Sequence, residues 1–170
     1  MKAFSELIGK SLTIIQPSIL KAYYELRLGD EVLGFYRMTG MFFFSAEASG
    51  INNEQVEFFK LTKWKSGIDI RWVGKEVPFA AYKTRFNGNK GVVELPRGER
   101  LILKFSFVDN TFQICSPRGA VLVSYETHLL APTRLVIETA PEILDKNSWV
   151  ILFAACVSAE MKHGRIHPTG

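Results

Sequence analysis

Trp149-Val150-Ile151-Leu152-Phe153-Ala154-Ala155-Cys156-Val157 is the longest wholly apolar run in the chain. It follows Asp145-Lys146-Asn147-Ser148, where Ser148 or Asp145 is placed to cap a helix. It leads into Glu160-Met161-Lys162-His163-Gly164, with cations and then a glycine at positions that suit a helix C-terminus. The pattern predicts a helix over about 148–163 whose first nine residues leave no polar face. Such a helix must be buried on every side, in a protein core or in a bilayer. A membrane span needs about 20 apolar residues. Ser158 and Glu160 interrupt this run at about half that length, so the expected place is a core.

Upstream of residue 140 the chain reads with period two. Strands are expected at Ser11–Ile15, Ala22–Leu28, Glu31–Met38, Met41–Ala48, Gln55–Thr62 and Ile68–Val73. Further strands are expected at Glu76–Lys83, Val92–Leu95, Arg100–Val108, Phe112–Cys115, Val121–Thr127 and Arg134–Thr139. Tight-turn residues separate them, among them Gly29-Asp30, Gly74-Lys75, Pro96-Arg97-Gly98 and Ser116-Pro117-Arg118-Gly119. Pro78 has no N–H for a ladder and pushes its strand towards an edge or bulge. About 12 sequential hairpin strands and one helix that must be buried all round leave one simple arrangement, a closed antiparallel sheet wrapped around the helix. Closure also removes unpaired edges. The expected class is therefore mostly β: one domain over 1–170, with strands over about 11–139, the central helix, and a frayed tail at 164–170. A lumen filled by a helix leaves ligands to the rim or the loop grooves.

A length of 170 residues with 47% hydrophobic and 12% aromatic content fits one folded domain and excludes disorder. The first ten residues contain no apolar signal core, so a cytoplasmic protein is expected, peripheral at the inner membrane face if it meets lipid. Cys115 and Cys156 stand apart in apolar contexts, which suits reduced, buried thiols. The net charge of +4 is unevenly spread: residues 1–59 sum to −2, 60–104 to +7 and 105–170 to −1. That central segment supplies the candidate ligand-binding residues, Lys60, Lys63, Trp64, Lys65, Arg71, Lys83, Arg85 and Lys90. Closely placed cations attract the phosphates of lipid headgroups or of nucleic acid, and tryptophan favours a membrane interface. The bland alternative is a solvated β-surface kept lysine-rich against edge pairing.

Catalytic signatures are missing from the sequence. There is no P-loop, GxGxxG, GxSxG or HExxH. His163 and His167 are four apart, but Gly164 and Pro168 speak against a helix that would bring them to one metal. His128 has no Ser or Cys assigned to it by spacing, and the acidic residues form no spaced pair. No catalytic residue, metal or cofactor is expected. An enzyme with a rim site built on His128 or Glu126 is the least favoured function.

The hairpin Tyr24-Glu25-Leu26-Arg27-Leu28-Gly29-Asp30-Glu31-Val32-Leu33-Gly34, the Trp- and Gly-punctuated meander and the Trp149–Val157 helix together resemble the tubby C-terminal-like family. That family comprises tubby-like proteins, phospholipid scramblases and plant LURP-one-related proteins. The likeness spans about Ser11 to His163 and is greatest to small bacterial single-domain members. It implies a barrel of about 12 strands around a central helix. It also implies a non-enzymatic binding or scaffold domain meeting anionic phospholipid or phosphoinositide headgroups. The phosphoinositide-binding positions of tubby-like proteins have no residue-by-residue match here. Neither do the Pro-rich arm, acylated cysteines and acidic Ca²⁺ stretch of scramblases. Nucleic acid or a protein partner on the same basic surface are the alternative readings.

Overall fold

The computed structural model describes residues 3–40, 44–60, 67–85, 89–128 and 131–162. Twelve strands run in chain order: β1 Ser11–Ile15, β2 Tyr23–Leu28, β3 Glu31–Met38, β4 Ser45–Ser49, β5 Gln55–Phe59 and β6 Gly67–Trp72, then β7 Ala80–Thr84, β8 Lys90–Glu94, β9 Arg100–Ser106, β10 Thr111–Cys115, β11 Val121–Glu126 and β12 Thr133–Ile137. Each pairs antiparallel with its sequence neighbours, and β12 returns to β1 to close the barrel. Helix α1 spans Glu142–Lys146 and α2 spans Trp149–Lys162.

The barrel closes around α2. Every α2 residue from Trp149 to Ser158 is buried, and Trp149 to Ala154 have no exposed surface at all. Rings from the wall meet rings on the helix edge to face: Phe58 and Tyr82 on Phe153, with centroids 4.8 and 5.3 Å apart, and Phe79 on Trp149 at 5.8 Å. The wall also comes very close to itself. A Cβ at Gly91 would collide with the ring of Tyr82, so glycine is what lets that ring lie flat under β8. Tyr125 donates its hydroxyl proton to the Ile151 carbonyl at 2.7 Å.

The N-terminus of α2 is capped from a distance. In the β4–β5 turn the Glu54 carboxylate accepts from the Ser148 N–H and Oγ–H at 2.8 Å and from the Asn52 N–H at 3.1 Å. A negative charge there suits both the orphan N–H groups and the helix dipole. Gly50 makes room for it: a Cβ would run into the carboxylate and lie 2.9 Å from the Trp149 nitrogen. The Ser148 and Asp145 side chains serve the β4–β5 turn rather than the first turn of the helix: Ser148 Oγ donates to Glu54 and accepts from the Asn52 N–H at 3.2 Å, and the Asp145 carboxylate accepts from the Asn52 side-chain amide at 3.1 Å.

Several boundaries depart from the sequence reading. The strand after Pro78 starts only at Ala80, because a residue without an N–H cannot join the β6 ladder. β9 stops at Ser106, so Phe107 leaves the apolar row and enters a turn, 42% exposed. The expected strand starts at residues 41–43 and the ends at 61–62 lie outside the described residues. Two short helices were not anticipated, a 3-10 turn at Phe4–Leu7 and α1. Both bury apolar side chains, Phe4, Leu7 and Leu144, in the same core cluster as α2. The first precedes β1 and the second precedes α2, so together they seal one end of the barrel.

Because α2 faces protein on all sides, Phe153→Asp or Leu152→Lys should abolish cooperative folding, since an unpaired buried charge costs several kcal/mol. Ile19→Asp on the surface should leave the unfolding midpoint unchanged. A soluble, cooperatively melting Phe153→Asp protein would contradict the central position of the helix. Glu54→Ala should lower stability by about 2 kcal/mol through loss of charge-assisted bonds, read from urea unfolding.

Candidate functional site

An antiparallel barrel with one strand per turn divides its connections between two ends. The sealed end carries the connections β2–β3, β4–β5, β6–β7, β8–β9 and β10–β11 and the segment from β12 to α2. The other end, where α2 finishes, carries β1–β2, β3–β4, β5–β6, β7–β8, β9–β10 and β11–β12. We call this the exit end.

The outer wall between the ends is largely charge-compensated. Arg37 pairs with Glu47 at 2.7 Å and Arg71 with Glu57 at 2.5 Å. Glu47 stands opposite Glu57 in the β4–β5 register, so the four form one ladder across β3 to β6. Arg71 also lies over the Phe59 ring, 4.4 Å from its centroid. Lys83 pairs with Glu94 at 3.2 Å. This charged exterior around an apolar lumen is the inverse of a membrane-spanning barrel, whose outside carries the apolar band. No helix among the described residues is long and apolar enough to cross a membrane.

The sequence candidates separate accordingly. Arg71 belongs to the wall ladder, and Lys83, opposite Gly67 in the β6–β7 register, has its own ion pair. Lys60, Arg85 and Lys90 lie at strand ends on the exit side, Arg85 and Lys90 exposed. Lys63, Trp64 and Lys65 fall outside the described residues. A lysine that sequence reasoning passed over joins this group: Lys104 stands directly opposite Lys90 in the β8–β9 register. Counting back along that hairpin from Pro96-Arg97-Gly98 would have found it.

Large apolar side chains stand among these cations. Leu20 is 92% and Val108 93% exposed, beside exposed Ile19 and Phe107. In sequence the remaining exit-end connections hold Met41-Phe42-Phe43, Leu61 and Trp64, Phe86, and Leu129-Leu130, all outside the described residues. The six exit-end connections carry Lys21, Lys60, Lys63, Lys65 and Arg85 against Asp109 alone, net +4. The sealed end's connections carry seven acidic residues against four basic, net −3. The sealed end also exposes Val73 and Val77, so apolar exposure alone does not distinguish the two; charge does.

The lumen is filled by α2 over most of its length, but a cavity of about 690 Å³ remains at the exit end. On the helix side it is lined by Ala155, Ser158, Ala159 and Lys162, which recur at one-turn spacing and share one face of the helix. Ile14, Tyr24, Tyr36 and Phe112 form its apolar wall, and Thr127, His128 and Gln16 stand at its rim. The Lys162 ammonium donates to Thr127 Oγ1 at 2.6 Å, and partial desolvation holds its pKa below the usual lysine value. His128 therefore lines a cavity whose described lining contains no carboxylate, and Glu126 lies outside it. His163 and His167 are beyond the described residues. The two thiols are free and buried, Cys156 in the lumen against Met38 and Cys115 in the wall. Burial raises both thiol pKa values, for Cys115 against the opposing pull of Lys104 and Lys90. Comparison of the chain with family models, with curated proteins and with solved structures found no match.

Desolvation raises the phenol pKa values of Tyr36, Tyr82 and Tyr125 above the ordinary 10.0. Each folded-state pKa exceeds the unfolded one, so the stability they contribute is complete below about pH 10 and is lost as pH rises towards the folded values. The urea midpoint should stay flat through pH 9 in this respect and fall above pH 10. Phenolate absorbance from these three tyrosines should appear only together with unfolding. Titration of all five tyrosines near pH 10 with an unchanged circular dichroism spectrum would contradict their burial.

Proposed function

We propose that this protein is a non-enzymatic docking domain of the tubby C-terminal-like type that binds the surface of an anionic membrane end-on, through the exit end of its barrel. The observation that carries the proposal is the polarity of the barrel. One end combines a net charge of +4 in its connections with exposed Ile19, Leu20, Phe107 and Val108, and the other is net −3. Each cation near an anionic bilayer contributes roughly 1 kcal/mol. Apolar side chains at loop tips add area that leaves water in the interfacial region. Lys60, Arg85, Lys90 and Lys104 serve as headgroup contacts, joined in sequence by Lys63, Trp64 and Lys65. Arg71 and Lys83 spend their charge on Glu57 and Glu94, so they contribute little. The family reading draws its support from the 12-strand barrel closed around a C-terminal helix.

Nucleic acid binding would use the same cations but gives exposed Leu20 and Val108 no role, which favours the bilayer. Flotation distinguishes the readings. Vesicles with phosphatidylglycerol or phosphatidylserine should carry the protein upwards at low salt, and phosphatidylcholine vesicles should not. Lys90→Glu with Lys104→Glu should reduce partitioning by at least about 30-fold, from two lost cations. Arg118→Glu at the sealed end should change little. A folded wild-type protein that floats with no anionic vesicle, or double-reversal vesicle binding equal to wild type, would overturn the proposal.

A further inference from the structure

We propose that the exit-end cavity is a binding site for a single-chain anionic amphiphile, an acyl chain bearing a carboxylate or phosphate head. The chain would lie along the Ala155–Ala159 stripe, and the head would meet Lys162. The volume of about 690 Å³ falls within the range of small-molecule sites. Its chemistry is divided as an amphiphile's is. The inner wall is Ile14, Tyr24, Tyr36 and Phe112, with Tyr24 and Tyr36 stacked 4.6 Å apart to make one flat side. The rim holds a lysine ammonium and the Thr127 hydroxyl. Among the described residues no carboxylate lies in the lining or within ion-pair distance of Lys162, so the one charge at the mouth is positive. Thr127 is fixed in place by accepting from Lys162 while its own hydroxyl donates to the Asn110 carbonyl at 3.0 Å. An incoming anionic oxygen would take up the remaining N–H bonds of the ammonium, which has three donors.

The helix explains why the space exists. Trp149, Ile151, Leu152, Phe153 and Val157 are buried in the lumen, whereas the side of the helix that faces the cavity carries only Ala155, Ser158 and Ala159 before Lys162. A leucine at position 159 would close much of the gap; alanine leaves it. The inference is independent of membrane docking, because a dissolved fatty acid requires no bilayer to reach the mouth.

The test is calorimetric titration of the delipidated full chain below micelle concentration. The probes are dodecanoate, a lysophosphatidylglycerol with a 12-carbon chain, and neutral dodecanol as the control. Saturable 1:1 binding of at least one anionic probe is expected, with dodecanol at least about tenfold weaker, the scale of a charge-assisted hydrogen bond. A preference for the carboxylate would point to free fatty acid, and one for the phosphate to a lysophospholipid head. Lys162→Gln, an exposed change, should weaken the anionic probe about tenfold without altering the melting temperature. Ala159→Phe should abolish binding in a protein that still melts cooperatively. Absence of saturable binding by both anionic probes would overturn the inference. So would undiminished binding in folded Lys162→Gln, or binding of dodecanol as tight as that of the anions. Failure here with intact vesicle flotation would leave the docking reading standing, and the reverse result would leave the cavity standing alone.

Discussion

The whole architecture answers to one constraint: α2 has no side that tolerates water. A helix buried on one face needs a layer beneath it. A helix buried on every face needs a container. Twelve short strands joined by tight connections supply one, and closing β12 onto β1 removes the edges that an open sheet of this size would expose. Burial alone does not fix the helix along the barrel axis. That role falls to polar contacts at its start, where Glu54 holds the backbone of Ser148, and to the hydroxyl of Tyr125 on the Ile151 carbonyl. Aromatic rings from β5 and β7 then lock against Phe153 in edge-to-face contacts that specify rotation as well as depth.

Filling the lumen has a functional consequence. A lipocalin-like barrel keeps its ligand space inside; here most of the inside is spent on the helix, and the exterior wall from β3 to β8 carries paired charges. What remains for recognition is the two ends, and they differ. The sealed end is plugged by the Phe4–Leu7 turn and α1 and is acidic in its connections. The exit end is basic, exposes bulky apolar tips and retains a cavity. An end-on docking mode and an amphiphile site at the same end form one consistent picture. Nothing in the wall has to open for either.

Much of the fold was legible from period and punctuation. The hairpins follow from alternating residues between turn residues, and the helix from a run that alternation cannot explain. What was not legible was long-range or unsigned by pattern. Glu54 caps α2 through Ser148, 94 residues later, and no local motif announces a partner so distant. The α1 and Phe4–Leu7 turns are too short to show a period. Their buried residues, Leu7 and Leu144, make sense only once a barrel end needs plugging. For the site, the sequence locates the basic excess in residues 60–104 but treats it as one face. Register divides it: Arg71 meets Glu57 across β5–β6, whereas Lys90 meets Lys104 across β8–β9. The exposed apolar tips were read as strand residues or left in loops. Which end of a barrel a loop belongs to depends on the parity of the strands before it, and that is known only when every strand is in place.

The orientation on the membrane is the claim on which the functional account turns. It can be measured by placing a spin label at Leu20→Cys and Val108→Cys on the exit end and at Val77→Cys on the sealed end. The native thiols are buried and leave the engineered sites selectively reactive. With anionic vesicles, both exit-end labels should lose accessibility to a water-soluble relaxant and gain accessibility to oxygen, while the Val77 label stays as it is in solution. Equal responses at the two ends, or a response at Val77 alone, would contradict end-on docking through the exit end.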